Sequence, residues 1–526
     1  MSGAERHVAA RVLDALLRED YGGLAARMTH DKDGVRLVLP TGRVVRLVPG
    51  SLFQDFVCAP EESPALAEVL DSLAALAGYR DGEGVAAFAE ECRAAVRGRR
   101  WFESRRDEVA ARIAAAHGTR DGRGVPGVVY ESLAAFAEHP VHPTSRARPG
   151  LAEADTVAYA PEFAPEFRLR WARVPVAGTT RAGDPPGWWP RDPGPGHTLF
   201  PVHPLTVPLV RDIPGVRVLD EPYRGVQPTL SMRTVAAGPR THLKLPLPVS
   251  TLGARNRRSI KPATLGDGAR AELLLREIVD REPGLDVLLA DEQTYAHAGH
   301  EYLGWMARRL PEGEIVPVAA LLSPFPGRAP RVLDDLAARY AGGDAPGVLA
   351  DYLRVLFTWN VRLFVTYGVA LEAHQQNLAL VFRPDGPARL LVKDNDGMLA
   401  SPARLRAAGL AVPDFTDPRM LTDDPHALAD VFVTITLHLA AAAVAFGAGH
   451  GGLVAEALDK ALAEYGGHPM ARLLRARTLD AARLVGKSMV TAGTLADRGR
   501  VAADVNKHYG TSGPNYLRHH RGKATS

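Results

Sequence analysis

Two polar stretches constrain this chain more than any other feature: Glu372-Ala-His374-Gln-Gln376-Asn377 and Lys393-Asp394-Asn-Asp396-Gly397. Ahead of the first, Trp359 to Leu371 places apolar residues at Val361, Phe364, Val365, Val369 and Leu371, a roughly helical spacing, and Gly368 marks a break near the helix end. Behind it, Leu378 to Phe382 reads as a short strand, Pro384-Asp-Gly386 as a turn, and Arg389 to Val392 as a second strand. A hairpin returns its two ends to one place. The pattern therefore predicts that Glu372, His374, Gln376 and Asn377 meet Asp394 and Asp396. Any one of these residues could simply cap a helix or close a turn. The whole set at the open end of one hairpin points to a site, and its oxygen donors suit Mg2+ held together with phosphates.

At 526 residues the chain exceeds one ordinary core, so two or three domains are expected. Hydrophobic content of 46% with 23% charged residues is that of a soluble globular protein. The formal net charge is +3 and the Lys/Arg runs are short, such as Arg255-Asn-Arg-Arg258, which argues against nucleic acid as a partner. Two cysteines, Cys58 and Cys92, make neither a disulfide framework nor a four-thiolate metal site, so a reducing cytoplasm is expected. Residues 1 to 18 read as an amphipathic helix rather than a signal peptide. The most apolar stretch, Val431 to Phe446, is short of a span and contains Thr434, Thr436 and His438. It predicts a buried helix, with no membrane partner.

Along the chain, residues 1 to 118 read mainly as helix, with a hairpin of Val35 to Leu39 and Val44 to Val48 around Pro40-Thr-Gly42. In Glu138-His-Pro-Val-His142-Pro143 the prolines disfavour a helix, and no Cys or third His stands at zinc-ligand spacing. Strands and loops follow from about Glu162 to Arg258, with a Pro/Gly-rich loop over Gly183 to Gly196. Two blocks there pair small hydroxyls with cations. One holds Ser231, Arg233 and Thr234; the other holds Lys244, Ser250, Thr251 and Arg255. Such pairs suit phosphate and carboxylate oxygens, although either block taken alone reads more readily as an ordinary sheet edge with its Lys and Arg in solvent. From Leu333 onward the chain is mostly helical, ending in a helical segment from Leu473 to Leu495 that contains Lys487 and a basic, flexible tail. There is no Walker A loop and no kinase-type glycine loop before a suitable Lys, so any phosphate must be held by the strand residues.

The run Tyr367-Gly-Val-Ala-Leu-Glu-Ala-His-Gln-Gln-Asn377, followed by Lys393-Asp394 and Gly397, resembles the signature of the IucA/IucC family, siderophore synthetases that work without a nonribosomal peptide synthetase. His139 to Gly150 is similar to a second family element, with Arg146 where a Lys is usual; Phe200 to Pro204 is similar to a third, with Leu205-Thr206 in place of Trp-Gln. The Ser231 to Thr234 and Lys244 to Arg255 blocks match the family's phosphate-binding strands, with the gap from Lys244 to Thr251 one residue short, so Ser250 rivals Thr251. The resemblance implies an α+β, cupped-hand architecture: a helical thumb over 1–135, β-rich fingers over 136–325, a mainly helical palm over 326–505, and the tail from 506. It implies an ATP-dependent ligase that adenylates a carboxylic acid, citrate or a relative, and condenses it with an amine or hydroxyl nucleophile, and it leaves room for a homodimer. ATP would be bound by His142, Arg146, Ser231, Arg233, Thr234, Lys244, Gln376, Asn377 and Asp394, and Mg2+ by Glu372, Gln376 and Asp394. His374, Arg255, Thr251 and Lys244 would be the catalytic set, the first three placing the substrate carboxylate and Lys244 binding phosphate oxygens. A phosphotransferase, or a non-catalytic siderophore- or iron-binding relative, are the competing expectations.

Overall fold

The computed structural model describes residues 2–50, 52–118, 124–191, 194–384, 386–501 and 508–518. In the N-terminal unit the helix Gly3–Arg18 buries Val8, Val12, Leu13, Leu16 and Leu17, the stripe read from the sequence. Ser2 caps it by accepting the Glu5 amide hydrogen. This helix packs on the long helix Gly82–His117 and on an antiparallel four-stranded sheet, which contains the expected hairpin of Gly34–Val38 and Val44–Pro49.

The middle of the chain builds a seven-stranded antiparallel sheet. Its centre runs Thr234–Gly238, Thr241–Lys244, Gly304–Arg309, Asp291–His297. The register places Lys244 opposite both Thr234 and Met306, and His242 opposite Arg308. One face carries a core of its own that includes Val235, Leu243, Trp305 and Ala307. The Lys244 and Arg308 side chains are buried too, so the cations at this sheet are not a solvated edge.

Beyond it, the helix Ala345–Arg362 continues through a widened turn to Tyr367 and stops at Gly368, where φ is 64°. A Cβ there would sit 2.6–2.8 Å from Arg404 and Ser401 side-chain atoms, so both space and backbone require glycine. The strands Leu378–Phe382 and Arg389–Val392 form the expected hairpin, with Leu378 facing Val392. All five residues of the first strand are buried, which is why it reads as an unbroken apolar run. Two earlier strands complete the sheet: Val287–Leu289 pairs parallel with the second hairpin strand and Glu314–Pro317 antiparallel with the first. The chain thus crosses into this unit before residue 325 and shares strands across that point.

The helical run Pro425–Gly447 is long and apolar enough to cross a membrane by length and composition, but 83% of its apolar window is buried inside the protein. It is a core helix, as its Thr and His content suggested. Two readings need correction. The segment Leu473 to Leu495 is not one helix: Thr478 leaves helical geometry (φ −125°, ψ −89°) after Pro469–Arg477, and Arg483–Gly486 is a strand. Its partner is Thr511–Pro514, so this part of the tail is not flexible. Buried Tyr516 and Leu517 pin it, and Asn515 Nδ2 donates to the Thr478 and Ala481 carbonyls. Residues 502–507 and 519–526 of the tail lie outside the described residues.

Candidate active site

The two polar stretches are tied together at both ends. Leu378 pairs with Val392 on one side; on the other, Val369 pairs with Ala400 and Ala370 with Leu399. Between these ties Asn377 N donates to the His374 carbonyl, Asn377 Nδ2 to the Glu372 carbonyl (3.0 Å), and Lys393 N to the Asn377 carbonyl. Gly397 brings the loops into contact: a Cβ there would lie 2.5 Å from Glu372 Oε2. The predicted convergence of Glu372, His374, Gln376, Asn377 and Asp394 is present. All five line one open cavity of about 370 Å3, together with Asp396, Ser231, Arg233, Thr251, Arg258, Arg146 and Lys487.

Asp394 is the hub of the charges. Lys244 Nζ donates to Asp394 Oδ1 (2.5 Å) and to Asp396 Oδ2 (3.0 Å). Behind them Arg308 Nε donates to Glu292 Oε1 at 2.5 Å, and that oxygen also accepts the Asp394 amide hydrogen at 2.9 Å. Burial alone would raise the Asp394 pKa; Lys244, Arg308 and Arg233 outweigh it and hold the group well below the usual carboxylate range. A second buried bridge, Lys393 Nζ to Glu131 Oε1 at 3.1 Å, continues to the Ser231 loop, because Glu131 Oε2 accepts the Leu230 amide hydrogen. Three of the six non-glycine residues with positive φ among the described residues, Met232, Leu252 and Asp394, sit in or beside these walls. Strained backbone of this kind gathers at functional sites.

Two guanidiniums, Arg233 and Arg258, line the same cavity as these acids. Arg233 donates to the Ser259 carbonyl and Arg258 Nε to Thr251 Oγ1 (2.5 Å). Burial, with Arg233 beside it, pushes Arg258 down to about 9, so it remains charged at neutral pH. Two adjacent cations facing one cavity suit an anion. His374 is pushed down to about 4, by burial first and Lys487 second, and is a neutral imidazole at pH 7. His139 is lowered as well, chiefly by burial and His142. Its Nδ1 accepts the Val141 and His142 amide hydrogens, leaving Nε2 as its N–H.

Other expected site residues are placed differently. Lys244 lies behind the cavity wall, its ammonium committed to the two aspartates. Thr234 is buried in its strand, and Ser231 Oγ accepts its amide hydrogen. His142 is fully buried, with Nδ1 3.1 Å from Thr144 Oγ1; of the two histidines in that element, His139 reaches the cavity. Arg146 lines the cavity while stacking 3.9 Å from the Phe102 ring centre and donating to the Phe136 carbonyl. Arg255 donates to the Ala492 and Ala496 carbonyls (2.8 and 2.5 Å) and is not among the residues lining the cavity, whereas Arg258 is. Arg308 and Glu292 were not singled out from the sequence, because a buried pair behind a strand has no local signature.

Residues 128–185 and 193–323 match the family described as IucA / IucC family, and residues 348–489 match the one described as ferric iron reductase FhuF-like transporter. The rhizobactin siderophore biosynthesis protein RhbC of Rhizobium meliloti is 25% identical over 331 residues, 54% of this chain and 56% of that protein. The petrobactin biosynthesis protein AsbB of Bacillus anthracis has the same fold, with a TM-score of 0.76 at 17% identity over 99% of this chain and 96% of that one. The ATP-bound aerobactin synthetase IucA of Klebsiella pneumoniae aligns with a TM-score of 0.70 at 18% identity, over 97% and 99% of the two chains. The IucA/IucC match thus covers two stretches in the middle of the chain, and the fold is that of solved siderophore-biosynthesis proteins. The chain spans a little more than half the length of the curated relatives it matches. The stretch matching the FhuF-like family contains no cysteine.

Proposed function

We propose that this chain is an ATP-dependent ligase of the IucA/IucC family in siderophore biosynthesis, joining a carboxylic acid to an amine or hydroxyl through an acyl adenylate. One observation carries the reading: a single cavity is lined by Arg233 and Arg258 together with Glu372, Asp394 and His374. Cations suit the phosphates and the reacting carboxylate, and hard oxygen donors suit the counter-ion of a nucleotide. Likeness to the IucA structure, which was solved with ATP bound, supports a nucleotide as ligand.

The donor chemistry fits Mg2+. Among the described residues no three His, Cys, Asp or Glu side chains form a ready-made metal shell, but Mg2+ beside a nucleotide usually takes only one or two protein carboxylates, completing its sphere with phosphates and water. Glu372, Asp394 and the Gln376 carbonyl would hold it. When bound it would shield the phosphate charge. In the reaction, Arg258 and Thr251 orient the substrate carboxylate while Arg233 and Ser231 fix the triphosphate. A carboxylate oxygen attacks the α-phosphorus, the bond to pyrophosphate breaks, and the amine or hydroxyl then displaces AMP from the acyl carbon. Positioning and preorganised charge account for the rate. A neutral His374 is suited to hydrogen-bonding the reacting group, since a base that holds a proton only below about pH 4 stores it poorly at pH 7.

Product analysis tests the reading. With its acid, its nucleophile and Mg-ATP the protein should release AMP and pyrophosphate in equal amounts. ADP with a phosphorylated acceptor would make it a phosphotransferase instead, and no nucleotide binding would favour a binding protein.

A further inference from the structure

A second, smaller cavity of about 30 Å3 adjoins the main one and shares Leu439, Lys487 and Met489 with it. That is room for roughly two water-sized groups. Its far side is built by Arg18 from the end of the first helix, by Phe53, and by Thr511, Gly513 and Pro514 of the C-terminal strand. Among the described residues Arg18 Nε and Nη2 are fully covered and have no acceptor within hydrogen-bonding distance, Nη1 has one long contact, 3.5 Å, with Gln54 Oε1, and Glu19 and Asp14 are the neighbouring carboxylates. The adjacent acid, Glu19, stands 3.6 Å from Nη2, with both its oxygens already accepting the Val490 and Thr491 amide hydrogens at 3.0 and 2.8 Å. No Asp or Glu lines the pocket among the described residues. His438 brings no acceptor either: Nδ1 lies 2.8 Å from the Tyr516 hydroxyl and Nε2 2.9 Å from the Val485 carbonyl.

Buried guanidinium hydrogens without acceptors call for an explanation. Here they face a space the size of a carboxylate, beside Lys487, one wall away from His374. We propose that this pocket receives the carboxylate of the second substrate, so that the nucleophile is an α-amino acid or a similar carboxylate-bearing amine rather than a plain diamine. The amine would lie in the main cavity by His374 while its carboxylate passes Lys487 to Arg18. This rests on the ligase reading above.

The test separates the two. Hydroxylamine, which needs no pocket, intercepts the activated acid as a hydroxamate and reports adenylation alone. Paired nucleophiles differing only by the carboxylate, L-lysine against 1,5-diaminopentane and L-serine against ethanolamine, report the pocket. Wild-type enzyme should prefer the carboxylate-bearing member of the productive pair by about 10–100-fold in kcat/KM, the range of one charge-assisted contact. In Arg18→Gln that ratio should fall to near one through KM, and Arg18→Lys should recover part of it. The corresponding N-acetyl amino acid, which cannot attack, should compete with the amine in the wild type, a measurement that needs no variant. Absence of preference, absence of competition, or an unchanged ratio in Arg18→Gln overturns the proposal. So does a change confined to the KM of the acid in the hydroxylamine assay, which would assign the pocket to the first substrate. Absence of hydroxamate with every acid would instead overturn the ligase reading beneath it.

Discussion

Replacing Lys244 by Met keeps the side chain's length and removes its charge from the centre of the site. The ammonium is 4% exposed and bridges Asp394 and Asp396 at 2.5 and 3.0 Å. Breaking a fully buried pair costs about 3–5 kcal/mol. Here the two aspartate side chains are 22% and 29% exposed, and Arg308 remains 3.7 Å from Asp394, so water and a second cation relieve part of the loss. We expect about 2 kcal/mol. Urea unfolding followed by tryptophan fluorescence reads this locally, because Trp305 precedes Met306, the cross-strand neighbour of Lys244. Divalent-ion affinity should move the other way and tighten, because the ammonium no longer competes for Asp394. Adding Asp396→Asn should return about 1 kcal/mol by removing one of the two unmatched charges. If Lys244 instead bound phosphate directly, nucleotide affinity without divalent ions would drop about 10–100-fold. That drop, with stability unchanged, would refute the counter-charge reasoning.

Three further outcomes are expected. Burial pushes His142 and His203 down to about 3 and His374 and His438 to about 4, and holds His139 and His242 well below their ordinary value, so they take up protons only on unfolding and stability rises with pH between about 4 and 6.5; Asp14, raised by burial to about 6, and Glu91, also raised by burial, oppose this. Each histidine contributes up to about 1.4 kcal/mol per pH unit in denaturant titrations, and a flat profile above pH 5 would contradict the reading. Gly397→Ala should fold yet lose at least about tenfold in kcat, since the new Cβ displaces the Glu372 carboxylate it would meet at 2.5 Å; normal turnover would remove Glu372 from the site. Arg258→Ala should raise the KM of the acid by about 10–100-fold, whereas Arg255→Ala should lower thermal stability with a smaller effect on that KM, and the reverse pattern in steady-state kinetics would restore Arg255 as the carboxylate ligand.

The hairpin was legible because its information is local. An apolar run, a Pro-Asp-Gly turn and a second apolar run fix the pairing, and the pairing carries Glu372 to Asn377 toward Asp394. The break at Gly368 was legible for the same reason. What the sequence left open is set by distant parts of the chain. Whether His139 or His142 faces the cavity depends on a turn that Arg11 fixes by donating to both their carbonyls, from a helix more than a hundred residues earlier. Arg255 and Arg258 belong to one short cationic run, and the direction of each follows from the 492–496 segment, which takes Arg255 for itself. The C-terminal strand was missed because four residues containing Gly and Pro carry no strand period; it exists through pairing with Arg483–Gly486.

The charge arrangement also explains why the site needs contributions from distant parts of the chain. The acids of the hairpin loops would repel one another if left alone, and so would Arg233 and Arg258 in the loops flanking the β-sheet. Lys244 reaching Asp394 across 150 positions, and Lys393 reaching Glu131 across 262, satisfy part of each set while fixing where the remainder point. Neither bridge is complete compensation: the cavity is still lined by charges of both signs, Arg233, Arg258 and Lys487 among the cations and Glu372, Asp394 and Asp396 among the acids. A polyanion carrying its own divalent ion neutralises both sets at once, which neither a bare cation nor a bare anion can do. The positive-φ residues Met232, Leu252 and Asp394 lie in or beside the same walls, each costing roughly 1–3 kcal/mol in the ligand-free protein. Strain and unbalanced charge thus fall on the same few loops, and both are paid for by residues elsewhere in the fold whose only task is to hold those loops still.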